Sequence, residues 1–218
     1  MADAPDPFGL VLWLGLLALT PFLVVMGTSF IKLVVVFSLL RNAMGIQQIP
    51  PNIAMQGLAL VLTFYIMAPV LFDAAEILKT RQLNLMKMDN ITQVVEAART
   101  PWRDFLIRHC QAEERAFFLA TAQRLWGKRH SEGLSSDHLL VLIPAFTVSE
   151  LTNAFQIGFL LYLPFLVIDL IVSNILLAMG MMMVSPMTIS LPFKILLFVL
   201  VDGWTRLTHG LVLGYVGS

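Results

Sequence analysis

Charge is what this sequence has least of. Only 13% of its 218 residues are Asp, Glu, Lys or Arg, while 58% are hydrophobic. A soluble domain carries about a quarter charged residues, so an ordinary soluble globule is excluded. The 14 basic and 14 acidic residues balance to a formal net charge of +0, so nothing points to a nucleic-acid partner. A single cysteine, Cys110, excludes an internal disulfide and a cysteine-based zinc cage. No P-loop, HExxH or GxSxG motif occurs, and no cofactor is expected. What remains is apolar. Mean hydropathy is +0.82, which reads as a membrane protein. The opening MADAPDPF places Asp3 and Asp6 where a secretory signal has a basic region. The apolar run behind it is too long for a signal core, so it reads as retained.

Three segments follow: 8–78, 79–137 and 138–218. In the first, Phe8 to Leu40 is apolar apart from Lys32 and a few small polar residues. One helix of that length is about 50 Å long, against a bilayer core of about 30 Å. It therefore tilts, breaks or leaves the lipid, and Pro21 is the expected kink. Lys32 lies deep in the run, where a charge either faces protein and water or snorkels to the interface. The link RNAMGIQQIPPN turns the chain, with Pro50-Pro51 ahead of a second apolar helix over Ile53–Ala75, broken at Pro69. Together these make a first helical hairpin.

Residues 79–137 hold most of the charge and read as a small soluble helical insertion. Thr100-Pro101 looks like an N-cap followed by proline at the first helical position. The helix behind it is expected to run to Trp126, with Gly127 just past its end. Trp102, Phe105, Leu106, Ala116, Leu119 and Trp126 form a partial apolar stripe. His109-Cys110 suggests a metal or nucleophile pair, but no partner at ligand spacing accompanies it, so a half-buried surface helix is the simpler reading.

Residues 138–218 read as a helix plus a second hairpin. Asp137 is the expected N-cap. Thr147, Ser149, Glu150, Thr152, Asn153 and Gln156 interrupt the apolar pattern that follows. Met179, Met181, Met182, Met183 and Met187 then form a knot between two apolar runs, bracketed by Gly180 and Pro186. Glycine suits the left-handed position after a helix, and proline cannot continue one, so this is a hairpin tip. Methionine is flexible and polarizable, so such a tip adapts to varied surfaces; equally, it fills a core or faces lipid. Asp202 and Arg206, four apart, can pair on one helix face. Gly210 and Gly214 make a GxxxG, a weak signal alone.

Several blocks resemble one family. They are Pro144-Ala145-Phe146, Ser149-Glu150-Leu151, Ala154-Phe155-Gln156-Ile157-Gly158, Met181-Met182-Met183, Pro192-Phe193-Lys194 and Val201-Asp202-Gly203-Trp204. They resemble the signatures of the FliP/SctR family, membrane components of the type III secretion export apparatus, and the LLAMGMMMVSPMTISLPFK stretch is nearest the injectisome branch. The resemblance implies an all-α, ring-forming subunit of helical hairpins, pentameric, in the bacterial inner membrane. It implies two smaller export-apparatus membrane proteins as partners and unfolded secreted proteins as cargo. It also implies a periplasmic insertion, an assembly largely raised out of the bilayer plane, and a gasket formed by Met181, Met182 and Met183.

Polar groups at membrane depth are costly and normally face protein or water. Glu150 and Lys194 stand in apolar surroundings, so each requires a partner, and pairing between neighbouring subunits is the expectation. With the resemblance, the function expected is a structural and gating subunit of a protein-export pore, not an enzyme. A small-solute secondary transporter or other channel subunit also suits broken helices with charges at depth. The two hairpins do not match, however, as an internal duplication requires. An intramembrane enzyme lacks any nucleophile, base or metal constellation in the sequence.

Overall fold

A computed structural model describes residues 25–46, 49–80, 91–127 and 133–216, with isolated positions in 15–22 and at 131; for 91–98 it describes the backbone alone. Pro21 is itself helical and exposed, but most of its neighbours lie outside the described residues, and with them the expected kink; residues 81–90 lie outside as well. Among the described residues the fold is all-α, with seven helices and no strand.

A short apolar helix is the centre. α1 spans Phe30–Met44 and buries Leu33, Val36, Phe37 and Leu40 completely or nearly so. These positions recur every three or four residues and so share one face. At 15 residues α1 is about 22 Å long, too short to cross a bilayer core of about 30 Å. The long apolar run is therefore interrupted ahead of Phe30, at 27–29. Gly45, at φ +74°, ends α1, and the Gly45 and Ile46 amides donate to the Asn42 and Arg41 carbonyls.

α2 spans Asn52–Thr80 and runs unbroken through Pro69, contrary to the break expected there. Its buried positions, Met55, Ala59, Thr63, Met67 and Val70, form one stripe. Pro69 is exposed and lies off that stripe, and packing of the stripe on either side of it holds the helix together.

The charged segment folds as two helices, not one. α3 spans Ile91–His109 with Pro101 inside it, so Thr100 is not its N-cap. α4 spans Ala112–Leu125, followed by Gly127 at φ +69°. Of the expected stripe, Phe105 and Leu106 are buried and Trp102 packs beside them; Trp126, at 39% exposure, is not part of it. Phe105 and Leu106 meet Met67 and Val70 of α2 and Leu142, Ala145 and Phe146 of the next helix, forming a second core.

That next helix, α5, spans Leu139–Ala178 and is about 60 Å long. His138, not Asp137, caps it, accepting from the Leu140 amide at 3.3 Å. Asp137 instead faces Arg115, 3.9 Å away. α6 spans Pro186–Leu200 and α7 spans Gly203–Leu213, with a bend of 59° between them. Asp202 occupies the bend at φ +50°. A Cβ on Gly203 would stand 2.2 Å from the Phe198 ring, so glycine is required there. By length and composition α2 and α5 are long and apolar enough to cross a membrane, as is the α6–α7 pair taken as one bent span.

Candidate functional site

The polar residues that interrupt α5 hold the fold together. Ser149 accepts the Gln111 amide at 3.1 Å and donates to the Ala145 carbonyl at 2.8 Å. Asn153 accepts from the Gln111 side chain at 3.2 Å. These contacts fix the break between α3 and α4 and explain why a single helix to Trp126 does not form. The Thr147 hydroxyl lies 3.1 Å from the Met26 carbonyl, and the Trp102 indole donates to the Gly27 carbonyl at 2.7 Å. A buried amide or carbonyl left unpaired costs about 1–3 kcal/mol, so each contact pins the interrupted segment ahead of α1.

Glu150, 1% exposed, meets Lys32 of α1 at 3.2 Å. The Lys32 ammonium also stands 3.9 Å from the centre of the Tyr215 ring. The Tyr215 hydroxyl donates to the second Glu150 oxygen. Phe105 stacks on Tyr215 with ring centres 6.1 Å apart, and His109 meets it edge-on at 4.9 Å. One buried ion pair thus joins α1, α3, α5 and the residues after α7. Burial, with Lys32 and Arg108 adding to it, pulls His109 down from 6.5 to about 4. Burial pushes the Cys110 thiol up, and its sulfur rests 3.7 Å from the Ser149 oxygen. A buried, protonated thiol is a poor nucleophile.

Lys194 makes a separate site. Its ammonium lies 2.6 Å from Asp169 Oδ2 and donates to the Ala43 carbonyl at 3.1 Å. Ser190 donates to the other Asp169 oxygen at 2.6 Å. Glu150 and Lys194 each find their partner inside the same chain, so the requirement that motivated a pair between subunits is already met. The sequence reading did not assign Lys32, Asp169 or Tyr215 as those partners. Lys32 and Asp169 were visible as charges at depth; nothing marked Tyr215.

The expected Asp202–Arg206 side-chain pair does not form. The Arg206 amide donates to the Asp202 carbonyl at 3.0 Å instead. Asp202 precedes the first turn of α7 in a left-handed conformation, so its side chain is off the helical face that Arg206 occupies.

The methionine tip forms as the turn residues dictate. The Met181 amide reaches back to the Leu176 carbonyl at 2.9 Å, Gly180 sits at φ +72°, and Pro186 opens α6. Met181, Met182 and Met183 are 43%, 82% and 101% exposed. They are not core filling in the chain alone. The outward faces of α5 and α6 expose Phe159, Leu170, Ile175, Phe193 and Leu196. Among the described residues no three His, Cys, Asp or Glu side chains cluster as a metal would require.

A FliP family model matches residues 13–211. The chain is 58% identical over 217 residues to the Yop proteins translocation protein R of Yersinia pestis, covering 100% of both. It is 53% identical over 202 residues to the virulence protein YscR of Salmonella typhimurium, covering 92% of this chain and 93% of that one. It is 50% identical over 202 residues to the hypersensitivity response secretion protein HrcR of Ralstonia nicotianae, covering 91% and 93%. Family membership removes the enzyme reading, since these relatives are named for translocation, virulence and secretion. With the paired charges inside, the bare methionine tip outside and these relatives alongside, the chain belongs to the FliP family, in the injectisome branch of type III secretion.

Proposed function

We propose that this chain is a core structural and gating subunit of the type III secretion export gate, through which unfolded proteins leave the cytoplasm. The observation that carries this reading is the exposed methionine tip on a hairpin whose charges are already paired within the chain. In the proposed assembly, copies of the chain ring an axis as a pentamer with two smaller export-apparatus membrane proteins. The apolar faces of α5 and α6 are covered by those neighbours. Met181, Met182 and Met183 converge on the axis. A thioether ring is apolar enough to exclude water and ions by dewetting. It is also soft enough to mould around a passing chain, where a leucine ring adapts less and a charged ring leaks. The assembly belongs to the bacterial inner membrane, with residues 79–137 on the periplasmic side.

The test is replacement of all three methionines by alanine within the complete apparatus. The complex assembles, small ions leak through it at rest, and secretion continues at a reduced level. A variant that assembles while the membrane stays as tight as wild type removes the seal. A stable monomer in native mass spectrometry, even with partners co-expressed, removes the ring.

A further inference from the structure

A cavity of about 510 Å³ opens between α1, α5 and the α6–α7 bend. Leu40, Leu161, Phe165, Phe198 and Leu211 contribute its apolar wall. One charged side chain reaches it, Arg206, and one glycine on its wall, Gly210, has nothing within 4 Å of where a Cβ would stand. Arg206 is exposed, and its guanidinium makes no ion pair or side-chain hydrogen bond with any described residue. The other two cations at depth are built differently, for Lys32 and Lys194 each hold a carboxylate.

We propose that this cavity holds an acyl chain of an anionic phospholipid, whose phosphate is met by Arg206. The lining dictates the chemistry. Pockets of about 300–1,000 Å³ that are apolar with one or two fixed polar groups take ligands of matching amphipathic character. An apolar wall excludes a free phosphate, which would lose its hydration and gain one partner. A neutral hydrocarbon offers the exposed guanidinium at the rim no counter-charge, so an occupant that carries an anion gains more there. An occupant with both an alkyl tail and a phosphate meets both demands, and a planar guanidinium holds phosphate with paired hydrogen bonds. The position is consistent with supply. By length and composition the α6–α7 pair is apolar enough to cross a membrane as one bent span, so a bilayer is a ready source of the tail. Gly210 lines the cavity and is exposed, and a Cβ added there meets no atom within 4 Å, so a larger side chain can be placed on that wall. This inference is independent of the pore reading.

The experiment uses the full chain purified from membranes, exchanged into nanodiscs containing equal phosphatidylglycerol and phosphatidylcholine of the same tails. Lipid retained after transfer to detergent is counted by native mass spectrometry. The wild type retains phosphatidylglycerol about fivefold over phosphatidylcholine, the effect of one cation on one net negative charge, which choline cancels in phosphatidylcholine. Arg206→Gln retains both lipids equally. Gly210→Phe fills the cavity and retains neither above the background of the bulk surface. Equal retention by the wild type, or retention unchanged in Gly210→Phe, overturns the proposal. So does loss of self-association in Gly210→Phe with no lipid bound to the wild type, because the cavity is then a seat for another protein chain. Inorganic phosphate that competes as well as lipid also overturns it, leaving a simple anion site.

Discussion

Two buried lysines make opposite use of the same chemistry. Lys32 faces Glu150 with both side chains enclosed, 8% and 1% exposed, beneath the ring of Tyr215. Lys194 faces Asp169 at the shorter distance of 2.6 Å, yet Asp169 is 35% exposed. The first pair ties four segments of the body together and has no route to water. The second is closed on the lysine side and open on the carboxylate side. Removing one partner of an enclosed pair leaves a charge that water cannot reach, whereas an open pair loses only a screened attraction. The first site is therefore part of the fold. The second, near the hairpin that carries the methionines, is free to present its carboxylate outward.

The sharpest way to break this comparison is to remove Glu150. Glu150→Ala strands Lys32 in the core and costs about 3–5 kcal/mol, read as loss of folded protein in denaturant titration. Lys32→Met with Glu150→Leu recovers most of it, because an apolar pair of similar volume needs no counter-charge. A single variant as stable as wild type refutes the enclosed site.

The second site sharpens it with two variants. Lys194→Ala leaves Asp169 with Ser190 and with water, and costs about 1 kcal/mol. Asp169→Ala leaves Lys194, 3% exposed, with the Ala43 carbonyl alone, and costs about 2–3 kcal/mol. Equal losses from the two variants contradict the one-sided opening.

The smallest effect is on pH dependence. His109 falls from 6.5 to about 4 in the folded chain, through burial first and then Lys32 and Arg108. Between those values the unfolded chain binds the proton and the folded chain does not, so stability rises with pH. Its contribution is complete above pH about 6.5 and is lost as pH falls toward about 4. His109→Phe keeps the ring against Phe105 and Tyr215 and flattens that slope, measured as thermal stability at pH 5 and pH 7. An unchanged slope places the titration elsewhere.

Much of the local structure was legible in the sequence. Gly180 and Pro186 bracket the tip because a left-handed residue and a missing amide have few other uses in an apolar run. Gly127 marked the end of α4 for the same reason. Prolines inside helices were less legible. Pro69, Pro101, Pro144 and Pro164 all lie within continuous helices, since a helix supported by packing tolerates one lost bond. The break between α3 and α4, at Cys110–Gln111, carries no proline; Ser149, 38 residues away, supplies the hydrogen bond that fixes it.

Composition, apolar run lengths and turn residues determined a membrane-like chain of helical hairpins, the family resemblance implied an all-α subunit, and Glu150 and Lys194 stood out as charges in need of partners. Which partners they take was decided only by the tertiary structure. Lys32 is 118 positions from Glu150, and Asp169 is 25 from Lys194. Periodicity assigns a residue to a face of its own helix, but a pair across helices depends on how those helices are packed, turned and slid against one another. That relation is a property of the whole core, and no local stretch of sequence contains it.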